Sequence, residues 1–299
     1  MNTREWALLA FTILGQAAAG LMIVLMIVRA YLAGKAGNEV ADRLTNRPLF
    51  MVVPIMALAL LASLFHLGSP LNIVRAVPNI ASSWLSREVV LAVTFLVFAA
   101  LYTYLQWRKA GGEGFRVVIG WITVVIAAIY IYAIGMVYMI VTQPSWNTLA
   151  TPVTFIAGSL LIGVLGVAAG LAAGHTGLKG EEMKAISTAL QGLALSAIVL
   201  LGIEFIVLPI YMGYLATQGG AALQSLNMMV GPYGAVFFFR LLVLFVGAGV
   251  LAAYLYRNAS VAEKEKTLTT LAYSAFALAL LGEVMGRFIF YATHYRIGI

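Results

Sequence analysis

The sequence has no cysteine, only three histidines, and few charges: Asp, Glu, Lys and Arg are 10% of its 299 residues. Each scarcity removes a class of function. Without cysteine there is no disulfide, no thiolate chemistry, and no Cys-ligated zinc or iron–sulfur cluster within this chain. Bis-His haem ligation needs two histidines facing across a bundle, yet His175 falls in a loop on one side while His66 and His294 fall at the opposite boundary. No haem ligands and no metal site are therefore expected. A soluble protein has about a quarter charged residues. Here 63% of the residues are hydrophobic, and the chain belongs in a membrane.

The formal net charge of +7 does not point to nucleic acid, because the basic residues sit in short loops between apolar runs rather than on one face. Runs long enough to cross about 30 Å of hydrocarbon lie near residues 6–29, 48–67, 86–107, 117–141, 151–173, 185–215, 234–256 and 267–291. The first is too long for a signal-peptide core and reads as a permanent span. Pro48, Gly111-Gly112, Pro144, Pro152, Gly174, Gly219-Gly220 and Gly231-Pro232 read as breakers at the run boundaries. The sixth run is long enough that it must tilt, protrude or kink. No internal repeat, linker or low-complexity segment divides the chain. The expectation is an all-α integral membrane protein, residues 1–299 forming a single eight-helix bundle. Gly166, Gly170 and Gly174, four residues apart in the fifth run, read as a close-packing helix face.

Loop charge predicts the direction. Arg29, Lys35, Arg43, Arg47, Arg108, Lys109, Arg116, Lys179, Lys184, Arg257, Lys264 and Lys266 fall on one side, whereas the other side holds only Arg4, Arg75, Arg87, Arg287 and Arg296. Lys and Arg of short loops are retained in the cytoplasm, so both termini should face the periplasmic side.

Ionisable groups inside spans are expensive and need a partner, a water-filled cavity or a task. His66, Glu88, Glu204, Arg240, Glu283 and Arg287 all fall in the outer half of the bundle, and the inner half reads as almost uncharged. Each has an ordinary structural explanation. Glu283 and Arg287, four residues apart, can neutralise one another on one helix face. Glu204 and Arg240 can pair. His66 can bond backbone at a helix end, and Glu88 can serve the first turn of a helix capped by Ser86. Their coincidence on one side is harder to explain that way. A quinol needs an apolar, lipid-accessible cleft and a proton acceptor that works near neutral pH. His66 titrates there unaided, and Glu88 across the same loop supplies a second acceptor.

Several stretches carry a resemblance: LLAFTILGQAAAG, SLFHLGSPLNIVRAVPNIASSWLSREVV, QPSWNTLATPVTF, GPYGAVFFFRLLVL and GEVMGRFIFYATHYRIG. Together they resemble the membrane anchor subunit of the dimethyl sulfoxide reductase family, over essentially the whole chain and in the same order. HLGSP followed by S-x-E is the most specific element. The resemblance implies a subunit in the cytoplasmic (inner) membrane of a prokaryote that binds and oxidises menaquinol, or runs the reverse reaction. It implies electron transfer to an iron–sulfur subunit of the four-cluster ferredoxin type and then to a molybdopterin catalytic subunit that reduces dimethyl sulfoxide or a related acceptor. It ties His66 and Glu88 to quinol binding and proton acceptance. Gly68, Ser69, Arg75, Ser86, Arg240, Glu283 and Arg287 are supporting candidates, and Glu204 is a candidate proton relay. Relatives commonly carry Arg two residues after the Pro of HLGSP; Asn72 stands there instead, with Arg75 three residues on. Two other classes remain open, a secondary transporter with a buried charged site and a purely structural anchor.

Overall fold

The computed structural model describes residues 3–66, 78–174, 180–259 and 265–297, and among the described residues there is no strand. In hydrocarbon no water is available to bond a free N–H or C=O, so a sequence this apolar satisfies its backbone within helices. They are α1 (Thr3–Ala36), α2 (Asn38–His66), α3 (Trp84–Arg108), α4 (Glu113–Val137), α5 (Ala150–Gly174), α6 (Glu181–Gln218), α7 (Gly220–Val230), α8 (Gly234–Leu244), α9 (Ala252–Asn258) and α10 (Glu265–Ala292). A π-helical turn, Phe245–Leu251, joins α8 and α9 into one span. Among the described residues eight segments are long and apolar enough to cross a membrane, one for each apolar run.

The helix ends depart from the expected ones. α1 and α2 both run beyond their apolar cores, separated only by Gly37 at φ +85°, a backbone conformation that glycine adopts without steric cost. Pro48 is not a boundary; it lies inside α2 together with Pro54. Its ring packs against Gly170, where an added Cβ would come within 3.1 Å of it. Pro152 sits in the first turn of α5, where a missing N–H costs no helical bond. α6 has 38 residues, about 57 Å at 1.5 Å per residue, more than the hydrocarbon thickness. Gly219 and Gly220, both at positive φ, turn the backbone from α6 into α7, a short helix outside the expected eight.

Two helices form the centre. In the most apolar windows of α1 and α5, 83% and 78% of residues are buried, against 39% or less in every other span. The pair crosses where Gly20 faces Ser159 and Gly163: a Cβ on Gly20 would strike the Ser159 carbonyl, and one on Gly163 would strike the Gly20 carbonyl. Without a hydrophobic drive between helices in lipid, such backbone approach is how they gain packing energy. Gly166 meets Leu21 of α1, while Gly174 makes only ordinary contact with Leu44. The small-residue face read from the sequence therefore packs at Gly166 and Gly170, but the closest crossing is at Gly163.

The termini share one face of the bundle. Trp6 packs on Phe288 with ring centroids 5.7 Å apart, and Ile297 N–H donates to Thr142 O in the α4–α5 loop at 3.0 Å. The opposite half is not almost uncharged, as the sequence suggested. Extending α1 and α2 brings Arg29 and Asp42 into the bundle, 3% and 5% exposed, where Arg29 Nη2 lies 2.7 Å from Asp42 Oδ1. Gln106 Nε2 donates to the same oxygen at 2.9 Å, Lys109 pairs with Oδ2, and Arg116 Nε donates to Gln106 Oε1 at 2.8 Å. Residues that looked like loop charges close the helix ends instead.

Candidate functional site

Glu88 is buried, 3% exposed, and its Oε1 has no hydrogen-bond partner among the described residues. Capping does not explain it. The N-cap of α3 is Ser83, not Ser86: the Ser83 side chain accepts from the Ser86 N–H, and the first turn holds no acidic residue. Glu88 is the fifth residue of the helix, beyond the free N–H groups that a cap would serve. Ser86 is buried two residues nearer the helix start. Glu88 lies within electrostatic reach of Tyr130, Tyr138 and Tyr291, three buried tyrosines. The Tyr138 and Tyr291 hydroxyls are 2.6 Å apart, and Tyr291 donates to Thr12 at 3.3 Å. The Tyr130 hydroxyl, like Glu88 Oε1, has no partner among the described residues.

His66 is the last residue of α2. Its side chain lies outside the described residues, as do Gly68, Ser69, Asn72 and Arg75. His294 is described: it packs on Trp146 at 4.8 Å between centroids and bonds the Tyr291 carbonyl at 2.6 Å.

A second group of charges gathers between α5, α6, α8 and α10. Arg240 Nη2 lies 2.9 Å from Glu204 Oε2, the pair expected from the sequence. The expected Glu283–Arg287 pair is replaced. Arg287 Nη2 donates to Gln16 Oε1 at 2.7 Å, and its guanidinium lies 3.3 Å from the centre of the Phe155 ring. The Gln16 amide in turn donates to Phe155 O at 2.8 Å and Ser159 Oγ at 3.0 Å, which fixes it against α5. Glu283 thereby loses its neighbour on the same helix and turns toward Glu204, within hydrogen-bonding reach. Glycine makes room for both. A Cβ on Gly158 would collide with Glu283 Oε2 and come within 3.6 Å of Glu204 Oε1, and one on Gly286 would lie 3.0 Å from Arg240 Cζ.

These charges line a cavity of about 100 Å³ whose other walls include Thr154, Phe155, Tyr211, Phe237 and Phe290. Glu204 Oε1, Glu283 Oε1, Arg240 Nε and Arg287 Nε are buried there without hydrogen-bond partners among the described residues. Ala150, Val207 and Tyr211 also belong to a larger groove of about 590 Å³, bounded by Leu149, Val153, Ile210 and Tyr214 on the bundle's periphery. The structure thus brings together Glu204, Arg240, Glu283 and Arg287. Glu88 and Ser86, on α3, do not line this cavity.

Gln16, Tyr138, Tyr291 and the two clearing glycines were not singled out from the sequence. Gln16 was visible as the one amide within the first apolar run. The tyrosines were not distinguishable from interfacial aromatics, and nothing in the sequence marks Gly158 or Gly286 as clearing space for charge.

An all-helical bundle with eight membrane-length spans, and with buried carboxylates left partly unpaired toward the face of its termini, defines a polytopic membrane subunit with a polar interior site. The chain belongs to the DMSO reductase anchor subunit family (DmsC), whose model matches residues 1–293. It is similar to an anaerobic dimethyl sulfoxide reductase subunit of Escherichia coli (strain K12), 27% identical over 300 residues that cover 99% of this chain and 96% of the relative. A second anaerobic dimethyl sulfoxide reductase subunit of the same organism, YnfH, is 27% identical over 299 residues, again 99% and 96%. An anaerobic dimethyl sulfoxide reductase subunit of Haemophilus influenzae is 26% identical over 306 residues, covering 100% and 99%.

Proposed function

We propose that this chain is the quinol-oxidising membrane anchor of a dimethyl sulfoxide reductase complex, with menaquinol as its substrate and His66 and Glu88 as the groups that take the quinol protons. The observation that carries the reading is Glu88: a buried carboxylate five residues into α3, with an oxygen unpartnered among the described residues and no capping role to explain it. Leaving such a group unmatched costs about 1–3 kcal/mol or more for a charged group, and a family of this kind supplies a ligand that would match it. A quinol hydroxyl donates to a carboxylate and loses its proton to a group poised near it. Gly68, Ser69, Arg75 and Ser86 flank the same loop and are assigned to shaping that site.

Electrons leave through partner subunits. The chain has no cysteine, so the relay is assigned to an iron–sulfur subunit docked on the face of the termini, and the terminal reduction to a molybdopterin subunit beyond it. That face is assigned to the periplasmic side of a prokaryotic inner membrane, on the Lys and Arg asymmetry of the loops. Protons released at Glu88 then return with the electrons on the same side, and turnover moves no net charge across the bilayer. Along α1, Gln16 and Arg29 are thirteen residues apart, about 20 Å at 1.5 Å per residue, and the buried residues between them are apolar. Glu204 is then part of the local charge cluster rather than of a path to the other face.

The test is turnover of the whole complex in membranes with a menaquinol analogue as donor. His66→Ala and Glu88→Gln should each lower quinol-linked reduction by about a hundredfold or more, while reduction driven by an artificial donor to the partner subunits is unchanged. Unchanged quinol-linked turnover in Glu88→Gln would remove Glu88 from the reaction; no saturable binding of a quinol analogue by the purified subunit would leave a structural anchor, and solute uptake by the isolated subunit in liposomes would favour a transporter.

A further inference from the structure

We propose that the cavity holding Glu204, Arg240, Glu283 and Arg287 is a second binding site for the ring of a lipid-borne quinone or quinol, reached sideways from the groove beside α5 and α6. The proposal rests on the reading that this chain handles quinol, but it places a site where that reading has none. The four side chains turn both acceptors and donors into one space, so the fitting ligand offers both kinds of polar group on an apolar body. What is missing is specific. Glu204 and Glu283 each present an acceptor oxygen, and Arg240 and Arg287 each present an Nε donor, without partners among the described residues. Glu204, Glu283 and Arg287 are all at least nine-tenths buried and all line the cavity.

A ring bearing two hydroxyls or two carbonyls satisfies this set in either redox state. Hydroxyls donate to the carboxylates, and carbonyls accept from the guanidinium groups. Phe237 and Phe290 supply apolar walls for the ring. Access is built in, because Ala150, Val207 and Tyr211 are shared between the cavity and the peripheral groove. The groove's exposed apolar residues, Leu149 and Ile210, offer a track for an isoprenoid tail.

The experiment uses the assembled complex in lipid nanodiscs and a short-tailed naphthoquinone carrying a photoreactive diazirine, with cross-linked peptides mapped by mass spectrometry. Saturable labelling of residues 150–155 and 204–211, competed by unlabelled naphthoquinone, is expected in the wild type and equally in Glu88→Gln. Val207→Trp, which fills the shared wall, should lose this labelling, and Val207→Ile should keep it. Labelling confined to the loop between α2 and α3, loss of the cavity labelling in Glu88→Gln, or equal competition by a phospholipid would overturn the second site while leaving the quinol reading standing. No saturable labelling anywhere in the protein would overturn both.

Discussion

The two ends of the bundle each bury charge, but they finish the task differently. On the face opposite the termini, both oxygens of Asp42 are engaged, one by Arg29 and Gln106 and the other by Lys109, and Arg116 closes the network through Gln106. Toward the termini, Glu88, Glu204 and Glu283 each keep an unpartnered oxygen among the described residues, and two guanidinium groups keep unpartnered Nε atoms. A buried polar network is worth most when complete and is costly when partial. The end whose carboxylate is fully matched therefore reads as structure, tying α1, α2, α3 and α4 together, although Asn46 Oδ1 on α2 stays unpartnered among the described residues. The incomplete end reads as a place kept open for a ligand.

That contrast can be broken at either end. The largest effect is expected from emptying a cluster of one sign of charge. Asp42→Ala leaves buried Arg29 with only the half-exposed Glu113 carboxylate 3.9 Å away, and Glu204→Gln combined with Glu283→Gln leaves Arg240 and Arg287 without a carboxylate in their cavity. Each should cost about 3–5 kcal/mol, read as a lower denaturation midpoint or a lower yield of folded protein in membranes. The single change Glu204→Gln should cost far less, because Glu283 lies beside it and can take over Arg240, so the two single losses should sum to less than the double one.

Next is the α1–α5 crossing, which underlies both ends. Gly20→Ala forces a methyl group into the Ser159 carbonyl and should cost about 1–3 kcal/mol, whereas Gly192→Ala, with nothing within 4 Å, should be neutral. Thermal unfolding of the two purified variants separates a packing role from a general intolerance of added bulk. The smallest effect belongs to Trp146→Phe. It keeps a ring against Phe290, 5.0 Å between centroids in the native stack, and loses the Nε1 bond to the Phe290 carbonyl, a cost of about 0.5–1.5 kcal/mol, together with part of the contact with Tyr138 and His294, measured the same way.

The spans were legible because apolar runs of membrane length have one stable solution in lipid. The order of the helices, the gathering of Glu88, Glu204, Arg240, Glu283 and Arg287 toward the face of the termini, and the Glu204–Arg240 pair followed from counting along those runs. Three features did not follow. Arg29 and Arg116 looked like loop charges, and Asp42 was passed over, because hydropathy marks where a helix is apolar, not where it ends. Pro48 looked like a breaker because its packing partner, Gly170, is far away in sequence. Glu283 and Arg287 looked like a pair because they are four residues apart, but Gln16 on α1 captures the arginine from across the bundle, and no local spacing reveals that. Long-range contacts decided each case.

The claim that the face of the termini is the working face is tested most directly by the structure of the assembled complex with its electron-transfer subunit. That subunit is expected against the α4–α5 loop and α7, with its nearest iron–sulfur cluster over the ends of α2 and α3 beside His66 and Glu88. A partner docked instead on the opposite face, over Asp42, Lys109 and Arg116, would contradict the assignment of the site and of the face together.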